Sequence, residues 1–444
     1  MYENKKIFIL GMARSGYEVA KLLSKHNNEI IITDMKEQDE KQVLELTNLG
    51  IKFIISDEPE NILDETYNVL IKNPGIRRDH KCVLKARAFN IPVVNEVEVA
   101  YSFLDKDVKI IGITGSNGKT TTTTMTFDIM KEAGLKVHLG GNIGYPVSSL
   151  VEKTKKGDIL VLEISDHQLV DMYDFKTDIS VLTNLYEVHL DFHESYSVYK
   201  NMKKKIFNEH TNKEIAILNK DNEDVITLTS DIESKKLYFS SKEDADCMIK
   251  NDAIFYKGKE IIKLKDIKIK GSHNYENIMC TIMIVKQFNV SNETIFKVLN
   301  KFGGVEHRCE FVREIDGVKY YNDSKATNVD STIIALDSFK NPTILLLGGL
   351  DRGHSFNELK EHLSNVSEII SYGETKNRIK EFADSIKIKC TVKETLEEST
   401  NLAIKHAKKG DTVLLSPACA SWDQYKTFED RGEEFKKIVF KAVK

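Results

Sequence analysis

The segment Lys109-Ile-Ile-Gly-Ile-Thr-Gly-Ser-Asn-Gly-Lys-Thr-Thr-Thr-Thr-Thr124 limits the fold more than any other part of the chain. The apolar run Ile110 to Ile113 predicts a buried strand, and the hydroxyl run leads into Met125, Phe127 and Ile129, apolar positions of a helix. Between them, Gly115, Ser116, Asn117 and Gly118 form a loop whose glycines let the backbone curl until its N–H groups point inward. The helix N-terminus adds its positive end. Lys119 is placed to neutralise β- and γ-phosphates, and Thr120 or Thr121 to offer a hydroxyl to Mg²⁺. The common phosphate-loop pattern has a glycine where this chain has Ile113, so the signal is Gly-Lys-Thr in a strand–loop–helix context.

A chain of 444 residues exceeds one ordinary core, which predicts two to four domains. The net charge of −4 gives no basic field for wrapping nucleic acid, so phosphate binding has to come from local loops. The six cysteines are scattered without a Cys-x-x-Cys pair, which argues against structural zinc or a disulfide frame and suits a reducing compartment. Lys5-Lys6 before Ile7–Leu10 has the outline of a signal sequence, but the apolar run is short and Arg14 interrupts it. No stretch reaches bilayer-spanning length. The expectation is a cytoplasmic enzyme, acting as a monomer on small molecules, with no nucleic-acid or membrane partner.

Strand and helix patterns alternate through three α/β units. We expect a Rossmann-like domain over residues 1–97, a central P-loop ATPase-type domain with a mostly parallel sheet over 98–302, and a C-terminal Rossmann-like α/β domain over 303–444. In the first, Gly11 and Gly16 bracket a turn after Ile7–Leu10, and Asp34 ends the next strand. The spacing is G-x-x-x-x-G, so a nicotinamide or flavin cofactor is disfavoured against another nucleotide-like ligand. Asn73-Pro-Gly75 closes a further strand and brings bare backbone to a ligand position. In the second, Asn142 lies in a glycine-rich loop, and the strand Asp158–Glu163 ends in a carboxylate where nucleotide-binding sheets place a Mg²⁺ ligand. His189, Asp191 and His193 make an i, i+2, i+4 set that reads as a metal or phosphate cluster, with a satisfied surface turn at least as good a reading. Lys200, Lys203, Lys204 and Lys205 read as a solvated helix face. Residues 230–270 read as an antiparallel excursion, Asn274 as a helix cap or an adenine reader, and Cys419 as a packed, inert thiol.

The string Thr114-Gly-Ser-Asn-Gly-Lys-Thr120, with Gly140-Gly-Asn-Ile-Gly144, Glu163, Asn184, His189-Leu-Asp191, Gly271-x-His-Asn274 and His307-Arg308-x-Glu310, resembles the Mur ligases over nearly the whole chain. Asn322-Asp-Ser-Lys-Ala-Thr-Asn328, Leu345–Gly349 and Leu415-Ser-Pro-Ala-Cys-Ala-Ser421 resemble the branch that adds D-glutamate to UDP-N-acetylmuramoyl-L-alanine in peptidoglycan precursor synthesis. The resemblance implies that ATP converts the alanyl carboxylate to an acyl phosphate, which the amine of D-glutamate attacks. It implies that Lys119 and Thr120 hold phosphates and a first Mg²⁺, with Glu163 a further ligand and His189 serving a second Mg²⁺ and the substrate. It also implies a carbamylated lysine as metal ligand. The pattern Tyr199-x-x-x-Lys selects Lys203, with Lys204 the fallback. Asn274, Arg308 and Asp323 then serve ATP. Lys325, Thr327, Arg352, Ser421, Trp422 and Phe428 serve D-glutamate, and Arg14, Ser15, Asp34, Met35, Lys36, Gly75 and Asn142 serve the UDP substrate.

Two departures stand out. Where the family has Glu-Leu-Ser-Ser-Phe-Gln-Leu, this chain reads Glu163-Ile-Ser-Asp-His-Gln-Leu169, which changes charge at Asp166 and His167 beside the substrate channel. Met35 stands where a hydroxyl is common. A folylpolyglutamate synthase would share the phosphate loop, but the 416–421 loop and the first domain speak against it. The Asp-Asn-Pro-Arg motif of the diamino-acid ligases is absent.

Overall fold

The computed structural model describes residues 1–187 and 193–442, apart from the side chain of Asp330. Among the described residues the strands form three sheets, and the chain divides into two compact units, Met1–Phe302 and Gly303–Lys444.

The first sheet contains Lys6–Leu10 (β1), Glu29–Asp34 (β2), Lys52–Ile55 (β3), Val69–Lys72 (β4) and Val93–Val94 (β5), all parallel, in the order β3-β2-β1-β4-β5. Ile7, Phe8 and Ile9 are wholly buried, as expected of a central parallel strand covered on both faces. The strand order reverses between β1 and β4, so the crevice at their carboxyl ends, where Gly11 and Asn73 lie, is the natural ligand position.

The central sheet adds Lys109–Thr114 (β6), Val137–Gly141 (β7), Ile159–Glu163 (β8), Ile179–Leu182 (β9), Ile215–Asn219 (β10), Lys235–Ser240 (β11), Cys247–Lys250 (β12), Ala253–Tyr256 (β13) and Lys259–Lys263 (β14). Its order is β14-β13-β12-β11-β10-β9-β6-β8-β7. β6 sits between β9 and β8, another reversal point, and the phosphate loop leaves its carboxyl end. The excursion read as antiparallel is so only from β12 to β14; β11 pairs parallel with β10 and with β12.

The helix Glu96–Tyr101 runs through residue 97, where the sequence reading ends the first domain. It carries two buried carboxylates into the central domain. Glu98 accepts from the backbone N–H of Asp174 (2.7 Å) and Phe175 (3.1 Å), and Glu96 from that of Ser148. Beside them, Lys72 Nζ lies 2.9 Å from Asp171 Oδ2, with both side chains sealed from solvent, and donates to the Ile76 carbonyl at 2.8 Å. Two buried carboxylates and one buried ion pair therefore join the first domain to the central one. The second unit holds Glu310–Ile315 (β15), Val318–Asn322 (β16), Thr343–Gly348 (β17), Val366–Tyr372 (β18), Cys390–Val392 (β19) and Thr412–Leu415 (β20), ordered β15-β16-β20-β17-β18-β19. All pairings are parallel except β15 with β16.

Removing one partner of a buried pair leaves an uncompensated charge, whereas removing both is close to neutral. Lys72→Met should lower the unfolding free energy of the first unit by about 3–5 kcal/mol. Adding Asp171→Leu should recover most of that in urea denaturation. A near-neutral single variant would contradict the role given to this pair.

Candidate active site

The phosphate loop is shaped by what surrounds it. Gly115 (φ +145°) lies so close to the end of β9 that a Cβ there would meet Thr183 Oγ1 at 2.0 Å, and one on Gly118 (φ +83°) would meet Asn277 Oδ1 at 2.1 Å. The N–H of Ser116 donates to the Asn184 carbonyl (2.9 Å), that of Asn117 to Asn184 Oδ1 (2.8 Å), and Thr183 Oγ1 to the Asn117 carbonyl (2.6 Å). Ser116 and Asn117 thus spend their amides on holding the loop. The donors left for phosphate are those of the first turn of the helix Lys119–Glu132, which have no acceptor within the helix. Lys119 Nζ curls back over the loop to the carbonyls of Gly115 and Ser116, both at 2.8 Å. Thr120 is buried at that turn, and Thr121 is half-buried beside it.

Glu163, the last residue of β8, is 2% exposed. Its Oε1 accepts from Asn142 Nδ2 at 2.7 Å, while Oε2 is buried without a hydrogen-bond partner. A buried carboxylate oxygen left so is costly unless a cation meets it, and a hard oxygen donor beside a phosphate loop is what Mg²⁺ takes. The residues present therefore fit the metal.

The lysine run is not one solvated face. Lys204 Nζ pairs with Asp231 (2.6 Å) and Lys200 with Asp224 (2.6 Å) at the surface, and Lys205 Nζ donates to the Val170 carbonyl at 2.8 Å. Lys203 alone is wholly buried. Its Nζ donates to Asp166 Oδ1 (3.0 Å) and Thr114 Oγ1 (3.2 Å) and lies 5.4 Å from the ring centre of Tyr199. Asp166 Oδ2 is 2.7 Å from His193 Nε2 and 3.4 Å from His167 Nδ1. Burial pushes the Asp166 carboxyl up, but the bond from His193 and the Lys203 charge outweigh it and hold the group well below the usual carboxylate range. Burial also lowers the Lys203 ammonium from its ordinary value, with Asp166 and then Glu163 pulling against it. His189 and Asp191 lie outside the described residues.

A cavity of about 610 Å³ brings Arg14, Ser15 and Gly75 of the first domain together with Lys119, Asn142 and Asp166 of the central one. Arg14 also donates to the Gly144 carbonyl at 2.9 Å. Asp34, Met35 and Lys36 line a second cavity of about 440 Å³, with Arg77 and His80, which the sequence reading did not single out. Both cavities touch Ala13 and Asn73, so the residues assigned to the UDP substrate occupy adjoining spaces. Asp34 Oδ2 accepts the Met12 N–H at 2.9 Å, and its Oδ1 that of Lys36 at 3.2 Å. Asn274 does not occupy the N-cap of its helix. Gly271 does, and Asn274 Nδ2 donates to the Lys270 carbonyl at 2.8 Å.

In the second unit the loops after β16, β17 and β20 carry the expected residues. Asp323 accepts from Ser416 Oγ (2.7 Å) and the Cys309 N–H (3.1 Å). Burial pushes its carboxyl up to about 6, with Ser416 and Arg308 opposing. Lys325 Nζ lies 5.9 Å from the Phe428 ring centre, and Arg352 stacks on the largely exposed Trp422 at 4.7 Å. Ser421 is buried and Thr327 half-buried. Cys419 is buried too, its thiol raised to about 11 by burial, consistent with an inert side chain. The residue missed here is Arg431, wholly buried on the helix Phe428–Lys441. It donates to Ser324 Oγ (3.0 Å) and the Ser324 carbonyl (2.8 Å), fixing the loop that presents Lys325. Glu306, His307 and Glu433 cluster at metal-ligand spacing, but Lys436 Nζ already bridges Glu306 (2.5 Å) and Glu433 (2.6 Å).

Residues 113–285 match the Mur ligase middle domain and residues 307–419 the Mur ligase glutamate ligase domain. The chain belongs to the Mur ligase family. It is 39% identical over 447 aligned positions to a UDP-N-acetylmuramoylalanine–D-glutamate ligase of Bacillus cereus, and equally to one of Bacillus thuringiensis, covering 100% of this chain and 99% of each relative. The fold is shared with the UDP-N-acetylmuramate–alanine ligase of Thermotoga maritima (TM-score 0.62, 18% identity, 99% of this chain and 100% of that one). It is shared also with a pseudomurein peptide ligase type C of Methanothermus fervidus (TM-score 0.56, 18% identity, same coverage).

The raised Asp323 carboxyl gives a pH signature. Protonated in the fold and ionised in the unfolded chain, it contributes stability that is complete below about pH 4 and lost as pH rises to about 6, some 3 kcal/mol in all. Asp323→Asn should flatten the stability of the second unit across that window in denaturant titrations. An unchanged slope would show that the carboxyl is not perturbed.

Proposed function

We propose that this chain joins D-glutamate to the alanyl carboxylate of UDP-N-acetylmuramoyl-L-alanine at the expense of ATP, in the cytoplasm and as a single chain, supplying a peptidoglycan precursor. The observation that carries the reading is the shared cavity in which Arg14, Ser15 and Gly75 meet Lys119 and Asp166, since a nucleotide-linked carboxylate held by the first domain there reaches the phosphate-transfer loop. The full-length likeness to D-glutamate ligases supports the choice of amino acid.

A carboxylate is a poor electrophile, so it must be activated. One of its oxygens attacks the γ-phosphorus of ATP, the bond to ADP breaks, and an acyl phosphate forms. The D-glutamate amine then adds to the carbonyl carbon, the tetrahedral adduct collapses, phosphate leaves with its electron pair, and the amine proton goes to solvent. Lys119 and the amides of the first helical turn neutralise the phosphates where charge builds. Thr120 and Glu163 would hold Mg²⁺, with His189 serving a second ion; when bound, the metal supplies charge neutralisation between the phosphates. Asn274, Arg308 and Asp323 take adenosine and its phosphates. Arg14, Ser15, Asp34, Met35, Lys36, Gly75 and Asn142 orient the UDP substrate. Lys325 and Arg352 meet the D-glutamate carboxylates, and Thr327, Ser421, Trp422 and Phe428 enclose it. Lys203, whose Nζ donates to Asp166 Oδ1 at 3.0 Å, is the lysine that the resemblance marks for carbamylation, and no step is routed through that group.

Phosphate release measured with ATP, UDP-N-acetylmuramoyl-L-alanine and one amino acid at a time should occur with D-glutamate and not with L-glutamate, L-lysine or L-alanine. Release with L-lysine but not D-glutamate would overturn the assignment.

A further inference from the structure

Glu96 opens the helix Glu96–Tyr101 and is 4% exposed, yet it also lines the cavity of about 610 Å³ that brings Arg14, Ser15 and Gly75 to Lys119. Its Oε1 accepts the Ser148 N–H, and among the described residues it forms no ion pair with a lysine, arginine or histidine. Glu98, two residues on, takes two backbone N–H groups and is fully engaged in joining the domains. Glu96 takes one and borders the cavity. The charged groups around it are few. The helix Ala13–Ser24, packed beside it, carries Arg14 and Glu18, and Glu18 acts on it as a further anion. The turn Val147–Ser149 has no titratable side chain. Lys119, Asp166 and His167 line other parts of the cavity.

An ionised carboxylate at this place is disfavoured twice over: the buried charge lacks a counter-ion, and a diphosphate entering the cavity carries the same sign. A neutral carboxyl removes both costs and adds an O–H donor. Burial pushes the group up to about 7, with the Ser148 N–H pulling the other way, so both forms lie within reach near neutral pH. We propose that Glu96 binds the UDP substrate as a neutral acid, its O–H donating to a phosphate or sugar oxygen of the ligand while its other oxygen keeps the Ser148 N–H. This rests on the ligase reading, which puts that substrate in the cavity. Glu96 then couples substrate capture to the seam between the first and central domains, and deprotonation weakens capture as pH rises.

Calorimetric titration of the full chain with UDP-N-acetylmuramoyl-L-alanine, at pH 6 and pH 8 in buffers of differing ionisation enthalpy, reads both affinity and proton exchange. The reference is Glu96→Gln, which keeps an acceptor for Ser148 and a donor for the ligand at every pH. Relative to it, the wild-type Kd should rise about tenfold from pH 6 to pH 8, and wild-type binding at pH 8 should take up close to one proton more. Glu96→Met, neutral but without a donor, should show neither pH effect and should bind about tenfold more weakly than Glu96→Gln at pH 6. Should Glu96→Gln fail to fold, Glu96→Met is the reference for both pH effects. An unchanged Kd ratio at the two pH values, with equal proton exchange, overturns the part given to Glu96 and leaves the ligase reading in place. Glu96→Met binding as tightly as Glu96→Gln overturns the O–H donation. Absence of binding by wild type and variants alike overturns the ligase reading and this inference with it.

Discussion

The loop at the carboxyl end of β6 has to keep its curled shape, and the residues that follow the neighbouring strand β9 hold it. Gly115 packs against Thr183, and Asn184 takes the N–H groups of Ser116 and Asn117 through its carbonyl and side chain. The cost is two amides that no longer face a ligand. The gain is a loop whose remaining donors, at the start of the helix Lys119–Glu132, are pre-oriented, so little reorganisation is needed when charge arrives. Tyr199, bonded to Ser116 Oγ at 2.7 Å, ties this loop to the helix that carries Lys203. The phosphate loop and the buried Lys203–Asp166 pair are thereby tied through one helix.

The same device recurs in each sheet. Gly11 and Asn73 follow β1 and β4, Gly115 and Glu163 mark the ends of β6 and β8, and Asp323 and Ser416 follow β16 and β20. Parallel strands bring their loops to one edge, and reversal of strand order opens a crevice there. Residues far apart in sequence thus share a site without any long insertion. In the second unit, Arg431 fixes the Ser324–Lys325 loop from a helix more than a hundred residues away.

Much of this was legible in the residues. The strands, the phosphate loop, the strand-end carboxylate Glu163 and the strand-end position of Asp34 follow from apolar runs and glycine turns. Lys203 was legible only through the family pattern counted from Tyr199, with Lys204 the fallback, because three consecutive lysines look alike in sequence. Successive helical residues are turned about 100° apart, so only one can face the core, and which one depends on the packing of Tyr199. Asp166 was visible as an altered charge, but its partner lies 37 residues on and only the fold joins them. Arg431 was missed because a charged residue on an amphipathic helix is normally read as surface. The commitment of Ser116 and Asn117 to Asn184 could not be read from a loop pattern that records only which residues are present.

The chemistry proposed for this site turns on transfer of phosphate to the substrate's carboxylate before the amide forms. The direct measurement uses UDP-N-acetylmuramoyl-L-alanine with ¹⁸O in its alanyl carboxylate, turned over with ATP and D-glutamate, followed by mass analysis of the released phosphate. One labelled oxygen should pass from carboxylate to phosphate in each turnover. Phosphate carrying no label, with amide formed, would contradict it.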